Sequence, residues 1–216
     1  MDIEQARDQM ISQQLRTWDI LDDRVLAVMK EVPRERFLPE AYRGLAFADT
    51  SIPIGHGEVM LPPKLQGRLL QAVEPGPRDN VLEIGTGSGF LTACLARLAE
   101  KVESIDIRED FVRDATDRLQ TLTGLSPVLH CADGLETEFT GRYDVIVVSG
   151  ALPIYDDRFE RALAPGGRLF IVVGAPPVRE AWLVTADAAG GTRRDVLFET
   201  DIPELCHARQ PERFAF

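Results

Sequence analysis

Val81-Leu82-Glu83-Ile84-Gly85-Thr86-Gly87-Ser88-Gly89-Phe90 is the stretch on which the reading of this chain turns. A short strand-forming run from Asn80 feeds the acidic Glu83, glycines follow at 85, 87 and 89, and a helical pattern then begins. Strand, glycine-rich turn and helix opening, in that order, make a nucleotide-type binding unit in which missing side chains let the backbone touch a ligand. A dinucleotide fingerprint would place its next glycine where Phe90 stands, so the spacing points elsewhere. Asp106 lies about 20 residues downstream, where such units hold the acid that meets a ribose.

Working outward, the chain alternates regularly from Asp79 onward. Strands are predicted over 80–84, 101–105, 127–130, 143–148 and 168–173, and helices over 89–99, 109–122 and 156–163. Apolar, β-branched strands separated by helices imply a parallel sheet in a doubly wound α/β domain. After Gly174-Ala175-Pro176-Pro177 the pattern changes. Strands over 181–185 and 195–200, with no helix between them, predict an antiparallel hairpin that closes the sheet.

Toward the N-terminus the character differs. Ile3, Ala6, Met10, Ile11 and Leu15 fall near helical spacing and predict an amphipathic helix over 1–18. Asp22 or Asp23 is placed to cap a second helix that ends at Pro33. From 33 to 63 prolines and glycines punctuate the chain, which reads as short helices and ordered loop because Phe37, Leu38, Tyr42, Leu45 and Phe47 need burial. A further helix is predicted over 64–73. Residues 1–76 thus form a helical cap with a loop, and 77–216 a ligand-binding core, as one compact unit.

Composition narrows the class. At 216 residues the chain buries a real core, and its net charge of -11 argues against a nucleic-acid partner, whose phosphates call for clustered Lys and Arg. Cys94, Cys131 and Cys206 are far apart, and His56, His130 and His207 lack ligand spacing, so neither a disulfide framework nor a metal site is expected. No basic-then-apolar leader and no bilayer-length apolar run is readable. A monomer in the reducing cytoplasm is the natural expectation.

Several blocks together resemble one family. The E-x-G-x-G-x-G form of residues 83–89 looks like motif I of S-adenosylmethionine-dependent methyltransferases. Val32-Pro33-Arg34-Glu35-Arg36-Phe37-Leu38-Pro39, Phe47-Ala48-Asp49-Thr50 with Ile52-Pro53-Ile54-Gly55, Asp133-Gly134, and Ala164-Pro165-Gly166-Gly167-Arg168-Leu169 are similar to the protein-L-isoaspartate (D-aspartate) O-methyltransferases. Motif I is generic to a superfamily, and the N-terminal blocks are the specific part. The resemblance implies a Rossmann-like, mostly parallel seven-stranded sheet with an N-terminal helical cap. It also implies methylation of the carboxyl group of L-isoaspartyl residues in damaged proteins, a form of protein repair. The acceptor is then a peptide or protein, with no nucleic acid and no membrane involved.

Two departures stand out. Where the family loop runs Gly-Gln-Thr-Ile-Ser-Gln-Pro, this chain has Gly57-Glu58-Val59-Met60-Leu61-Pro62-Pro63, so Leu61 replaces a serine associated with substrate handling. Ser149-Gly150-Ala151-Leu152-Pro153 replaces a small alanine-rich step. A small molecule or specialised peptide as acceptor, or a cofactor-binding module without turnover, therefore stays open.

The resemblance assigns roles residue by residue. Gly85 and Gly87, with Thr86 and Ser88, would pass beside S-adenosylmethionine where a β-carbon would collide. Asp106, followed by Ile107, would accept from the ribose hydroxyls, Glu83 would help compensate the α-ammonium directly or through water, and Asp133-Gly134 would border the adenine or form an ordinary Asp-Gly turn. On the acceptor side Ile54, Gly55, Gly57, Val59 and Met60 form the substrate loop, with Gly55 and Gly57 freeing amides for a carboxylate. Leu61, Glu58 and His56 are the candidates nearest the chemistry, with packing of the cap onto the sheet the competing role for Met60 and Leu61. A carboxylate acceptor is already ionised and needs no base, whereas a phenol, amine or thiol would call on Glu58 or His56. Arg34 and Arg36 either attract a carboxylate or pair with Glu31, Glu35 or Glu40.

Overall fold

Asp2 opens α1 (Ile3–Gln9), its carboxylate accepting the amides of Glu4 and Gln5. The structure, a computed structural model, describes residues 2–212. The rod widens into a π-helical stretch, Met10–Leu15, and tightens into a 3-10 turn, Arg16–Trp18, so the helix expected over 1–18 has three pitches. Asp22 caps α2 (Asp23–Glu31) through the Arg24 amide at 2.8 Å. Short 3-10 turns follow at Arg34–Phe37 and Glu40–Leu45. Phe37, Leu38 and Phe47 are buried as their apolarity demands, but Tyr42 and Leu45 face solvent at 37% and 47% exposure, against expectation.

The stretch read as loop contains a hairpin, β1 (Ile52–Gly55) and β2 (Glu58–Met60), paired antiparallel. Gly55, His56 and Gly57 turn it with φ of 117°, 54° and 83°, a left-handed path that its two glycines make accessible. Helix α3 (Pro63–Val73) starts directly afterwards, with Pro63 in the first turn, where its missing amide costs nothing.

The core holds β3 (Asn80–Ile84), α4 (Phe90–Leu98), β4 (Lys101–Asp106), α5 (Glu109–Thr123), β5 (Val128–Cys131), β6 (Tyr143–Leu152), α6 (Arg158–Arg161), β7 (Leu163–Val173), β8 (Arg179–Ala186) and β9 (Thr192–Thr200). Seven strands form one sheet in the order β5-β4-β3-β6-β7-β8-β9. Pairs from β5 to β7 are parallel, and β7-β8 and β8-β9 are antiparallel, so the expected closing hairpin is present. Asp187 ties its turn by accepting the amides of Ala189 and Gly191. Helix α6 is shorter than the 156–163 expected, because Leu163 is already paired with Tyr143 in the sheet. Strand β6 runs longer, through Ser149 to Leu152.

Alternate residues of one strand serve opposite layers. Val81, Val145 and Val147 join a cluster that reaches through Phe90 and Leu70 to Met29, Leu15 and Met10 of the cap. Leu82, Ile84, Ile146 and Val148 join the opposite cluster with Phe159 and Leu169. Strand order reverses at β3, which lies between β4 and β6. Loops leaving the carboxyl ends diverge there, and in open α/β sheets that divergence makes the binding crevice. Among the described residues no helix is long and apolar enough to cross a membrane.

Candidate cofactor and acceptor site

The crevice is real and its floor is the glycine turn. Gly85, Thr86, Gly87 and Ser88 line it, with Asp106 at the end of β4, Ile107 just after it, and Asp133 and Gly134 beyond β5, all expected from the sequence. A β-carbon on Gly85 would overlap the Ser149 hydroxyl, and Gly85 has φ +97°, so this backbone stays bare. Asp106 is buried at 8% exposure. Its Oδ2 accepts the Gly87 amide at 2.8 Å and its Oδ1 the Arg108 amide at 2.9 Å. Burial pushes this carboxyl up from the ordinary aspartate range, and the two amides hold it back. A carboxylate has about four lone-pair sites, so Asp106 keeps capacity for ribose hydroxyls. The bare turn and this acid fit S-adenosylmethionine.

Glu83 is placed differently from the expectation. It is fully buried beneath the turn and does not line the crevice. Its Oε2 accepts from Thr92 Oγ1 at 2.5 Å and Ser104 Oγ at 2.7 Å, and Ser104 shares a 2.6 Å hydroxyl contact with Thr86. Its Oε1 has no partner among the described residues. Burial raises its pKa to about 7, against the two hydroxyl bonds and with the help of nearby Asp106. Glu83 therefore supports the turn from below, through hydroxyls, and does not face the crevice itself.

The opposite wall is the hairpin. Ile54, Glu58, Val59, Met60 and Leu61 line the crevice, and the Ile54 side chain comes within 3.2 Å of where a Gly87 β-carbon would stand. Gly55, His56 and Gly57 do not line it. They form the exposed tip, where the two glycines serve the turn and offer no amides to the crevice. His56 Nε2 meets Asp110 Oδ2 at 2.7 Å on the surface and its ring packs edge-on against Phe111, so it is removed from the chemistry.

Arg34 is also corrected. It neither faces the crevice nor pairs with Glu31, Glu35 or Glu40. It is fully buried, donating to the carbonyls of Ala46 at 2.7 Å and Leu61 at 2.6 Å and to Gln66 Oε1, with its guanidinium 4.8 Å from the Phe90 ring centre. Burial lowers its pKa to about 9, which leaves it charged near neutrality. Glu35 pairs with Arg7 instead, and Glu31 with Arg97.

Three parts of the site escaped the sequence reading. Ser149 donates to the carbonyls of Ile84 and Gly85 at 3.0 and 2.9 Å, fastening the turn to β6. Arg108 and Phe111 enter from the start of α5. Residues 203–206 form the third part. Pro203 and Leu205 bracket Ala151 through backbone bonds of 2.8 and 3.0 Å, and this strip adds Glu204, Leu205 and Cys206 to the crevice. Buried Arg179 anchors it at the Ile202 carbonyl and the Glu204 carboxylate. Gly150, whose β-carbon would strike Leu205, was the available signal. The terminal Phe214 and Phe216, which as large apolar side chains the sequence would dock on the domain surface, lie outside the described residues.

Comparison with known proteins agrees with this geometry. Residues 5–195 match the family model of protein-L-isoaspartate(D-aspartate) O-methyltransferase. A protein-L-isoaspartate O-methyltransferase of Ectopseudomonas mendocina is 37% identical over 195 residues, covering 89% of this chain and 92% of that protein. One of Halorhodospira halophila is 35% identical over 208 residues, covering 95% and 94%. In fold, the chain superimposes with a TM-score of 0.78 on a Plasmodium falciparum protein described as a protein-L-isoaspartate O-methyltransferase, solved with S-adenosyl-L-homocysteine. That match covers 92% and 97% of the two chains at 19% identity. The chain belongs to the protein-L-isoaspartate(D-aspartate) O-methyltransferase family of S-adenosylmethionine-dependent methyltransferases.

Proposed function

We propose that this chain methylates the carboxyl group of L-isoaspartyl residues in peptides and proteins. The observation that carries the reading is the meeting of two walls: a bare glycine turn with Asp106 on one side, and an apolar hairpin folded over it on the other. When bound, S-adenosylmethionine supplies an electrophilic methyl group on a sulfonium. Gly85 and Gly87 give it room, Asp106 holds the sugar, and Asp133 and Gly134 border the base. Ile54, Val59, Met60 and Leu61 exclude water around the acceptor and hold it in line. A carboxylate arrives ionised and asks for no proton transfer, so the reaction needs neither His56, which stands outside the crevice, nor Glu58, which lines it, as a base. The net charge of -11 supports a protein or peptide over nucleic acid, and three free cysteines suit the reducing cytoplasm.

The test is transfer of labelled methyl to an isoaspartyl peptide beside its normal aspartyl twin. A base-labile ester on the first alone is expected. Transfer only to phenols, thiols or small carboxylates in a parallel screen would redirect the assignment.

A further inference from the structure

Four carboxylates line the crevice, Glu58, Asp106, Asp133 and Glu204, against a single cation among the described residues, Arg108. Three of the four are committed. Asp106 accepts two backbone amides, Asp133 takes the Leu135 amide and His207, and Glu204 takes Arg179 and Gln210. Glu58 and Arg108 join no ion pair among the described residues. Each instead meets the same thiol: Arg108 Nη2 donates to Cys206 Sγ at 3.6 Å, and Cys206 donates to Glu58 Oε1 at 3.7 Å. Sulfur is a weak partner on both counts. Arg108 Nε is buried with no acceptor at all among the described residues. Hairpin, the start of α5 and the 203–206 strip thus bring a carboxylate and a guanidinium to the two sides of one thiol in the crevice.

A carboxylate acceptor entering this crevice meets a surplus of negative charge. Arg108 is the group able to receive it, with a planar fork suited to two carboxylate oxygens. Glu58 would only repel such a substrate unless the substrate also brings a cation. We propose that the two residues select the acceptor together. Arg108 positions the carboxylate, and Glu58 receives a basic side chain beside it, so the preferred sites are isoaspartyl residues flanked by Lys or Arg. This rests on the carboxyl-acceptor reading above and names its substrate class.

The test uses one isoaspartyl peptide in versions with Lys or Glu next to the isoaspartyl residue, assayed with wild type, Glu58→Gln, Glu58→Lys, Arg108→Gln and Arg108→Lys. The readout is the ratio of kcat/KM for the Lys and Glu peptides within each protein, in which lost folding or cofactor affinity cancels. Wild type is expected to favour the Lys peptide about tenfold. The ratio falls to near unity in Glu58→Gln and inverts in Glu58→Lys. Arg108→Gln raises KM for both peptides about tenfold with the ratio kept, and Arg108→Lys restores part of the loss. Equal use of both peptides by wild type, or a ratio indifferent to residue 58, overturns the inference and leaves carboxyl methylation standing. No methylation of either peptide overturns the acceptor reading, and this inference with it.

Discussion

The turn after β3 and the hairpin facing it line the same crevice, yet they are held by opposite means. The turn is tied by backbone amides and a half-buried hydroxyl: Gly87 to Asp106, Gly85 to the Ile105 carbonyl at 2.8 Å, and Ser149 to two carbonyls. The hairpin presents Ile54, Val59, Met60 and Leu61 and is fixed at its base by a buried guanidinium. An invariant ligand can be read by main chain, whereas a peptide acceptor must be read by side chains that are free to vary. Of the departures of 57–63 from the family loop, Glu58, Val59, Met60 and Leu61 fall on the second kind of surface, and Pro62 instead precedes α3.

Four changes probe that contrast. The largest effect is expected from Asp106→Ala, which removes the acceptor of two amides and the sugar contact. Affinity for S-adenosylhomocysteine by calorimetry should fall at least about 100-fold, since charge-assisted bonds of this kind contribute about 1.5–3 kcal/mol each. A loss of under about threefold would move the ribose anchor elsewhere.

Next comes Glu83. Its folded pKa of about 7 exceeds the ordinary value of 4.5, so the folded state keeps a proton that the unfolded state releases. Stability must therefore decline as pH rises from 4.5 to about 7, by up to about 3 kcal/mol. Glu83→Gln abolishes that slope. Urea titrations at pH 5 and pH 8 should show the variant's advantage growing with pH, and a constant gap would refute the buried-acid account.

Gly85→Ala sets a β-carbon against the Ser149 hydroxyl at positive φ and should cost about 2 kcal/mol in chemical denaturation. Adding Ser149→Ala should recover part of it. If the double variant is no better, backbone strain alone is responsible. The smallest change is expected from Leu61→Ser. It thins an apolar wall at 6% exposure, with a loss of less than about tenfold in kcat/KM on an isoaspartyl peptide and of about 2 kcal/mol in stability. A gain of more than tenfold would mean that the hydroxyl absent from this loop limits the reaction.

The parallel core and the cofactor turn were legible because hydrophobic periodicity and glycine spacing are local, and both survive tertiary packing. Asp106 could be placed by counting from the turn. Glu83 could not, because its burial depends on Thr92 and Ser104, which come from neighbouring elements. The hairpin at 52–60 has only three or four residues per strand, too few for a period-two pattern to register. Arg34 looked like a surface charge beside glutamates until Ala46, Leu61 and Gln66 folded around it. The 203–206 strip has no regular secondary structure of its own, and its place is set by Ala151 of β6.

The buried guanidinium of Arg34 has a mechanical consequence. By gripping oxygens on three separate stretches while resting on Phe90, the first residue of α4, it welds the root of the hairpin to the element that leaves the glycine turn. That root cannot swing outward without stranding a full positive charge in the interior. At its far end the hairpin meets α5 through surface contacts, the His56–Asp110 pair and the edge of the Phe111 ring, so the two ends of this wall are fastened by unequal means.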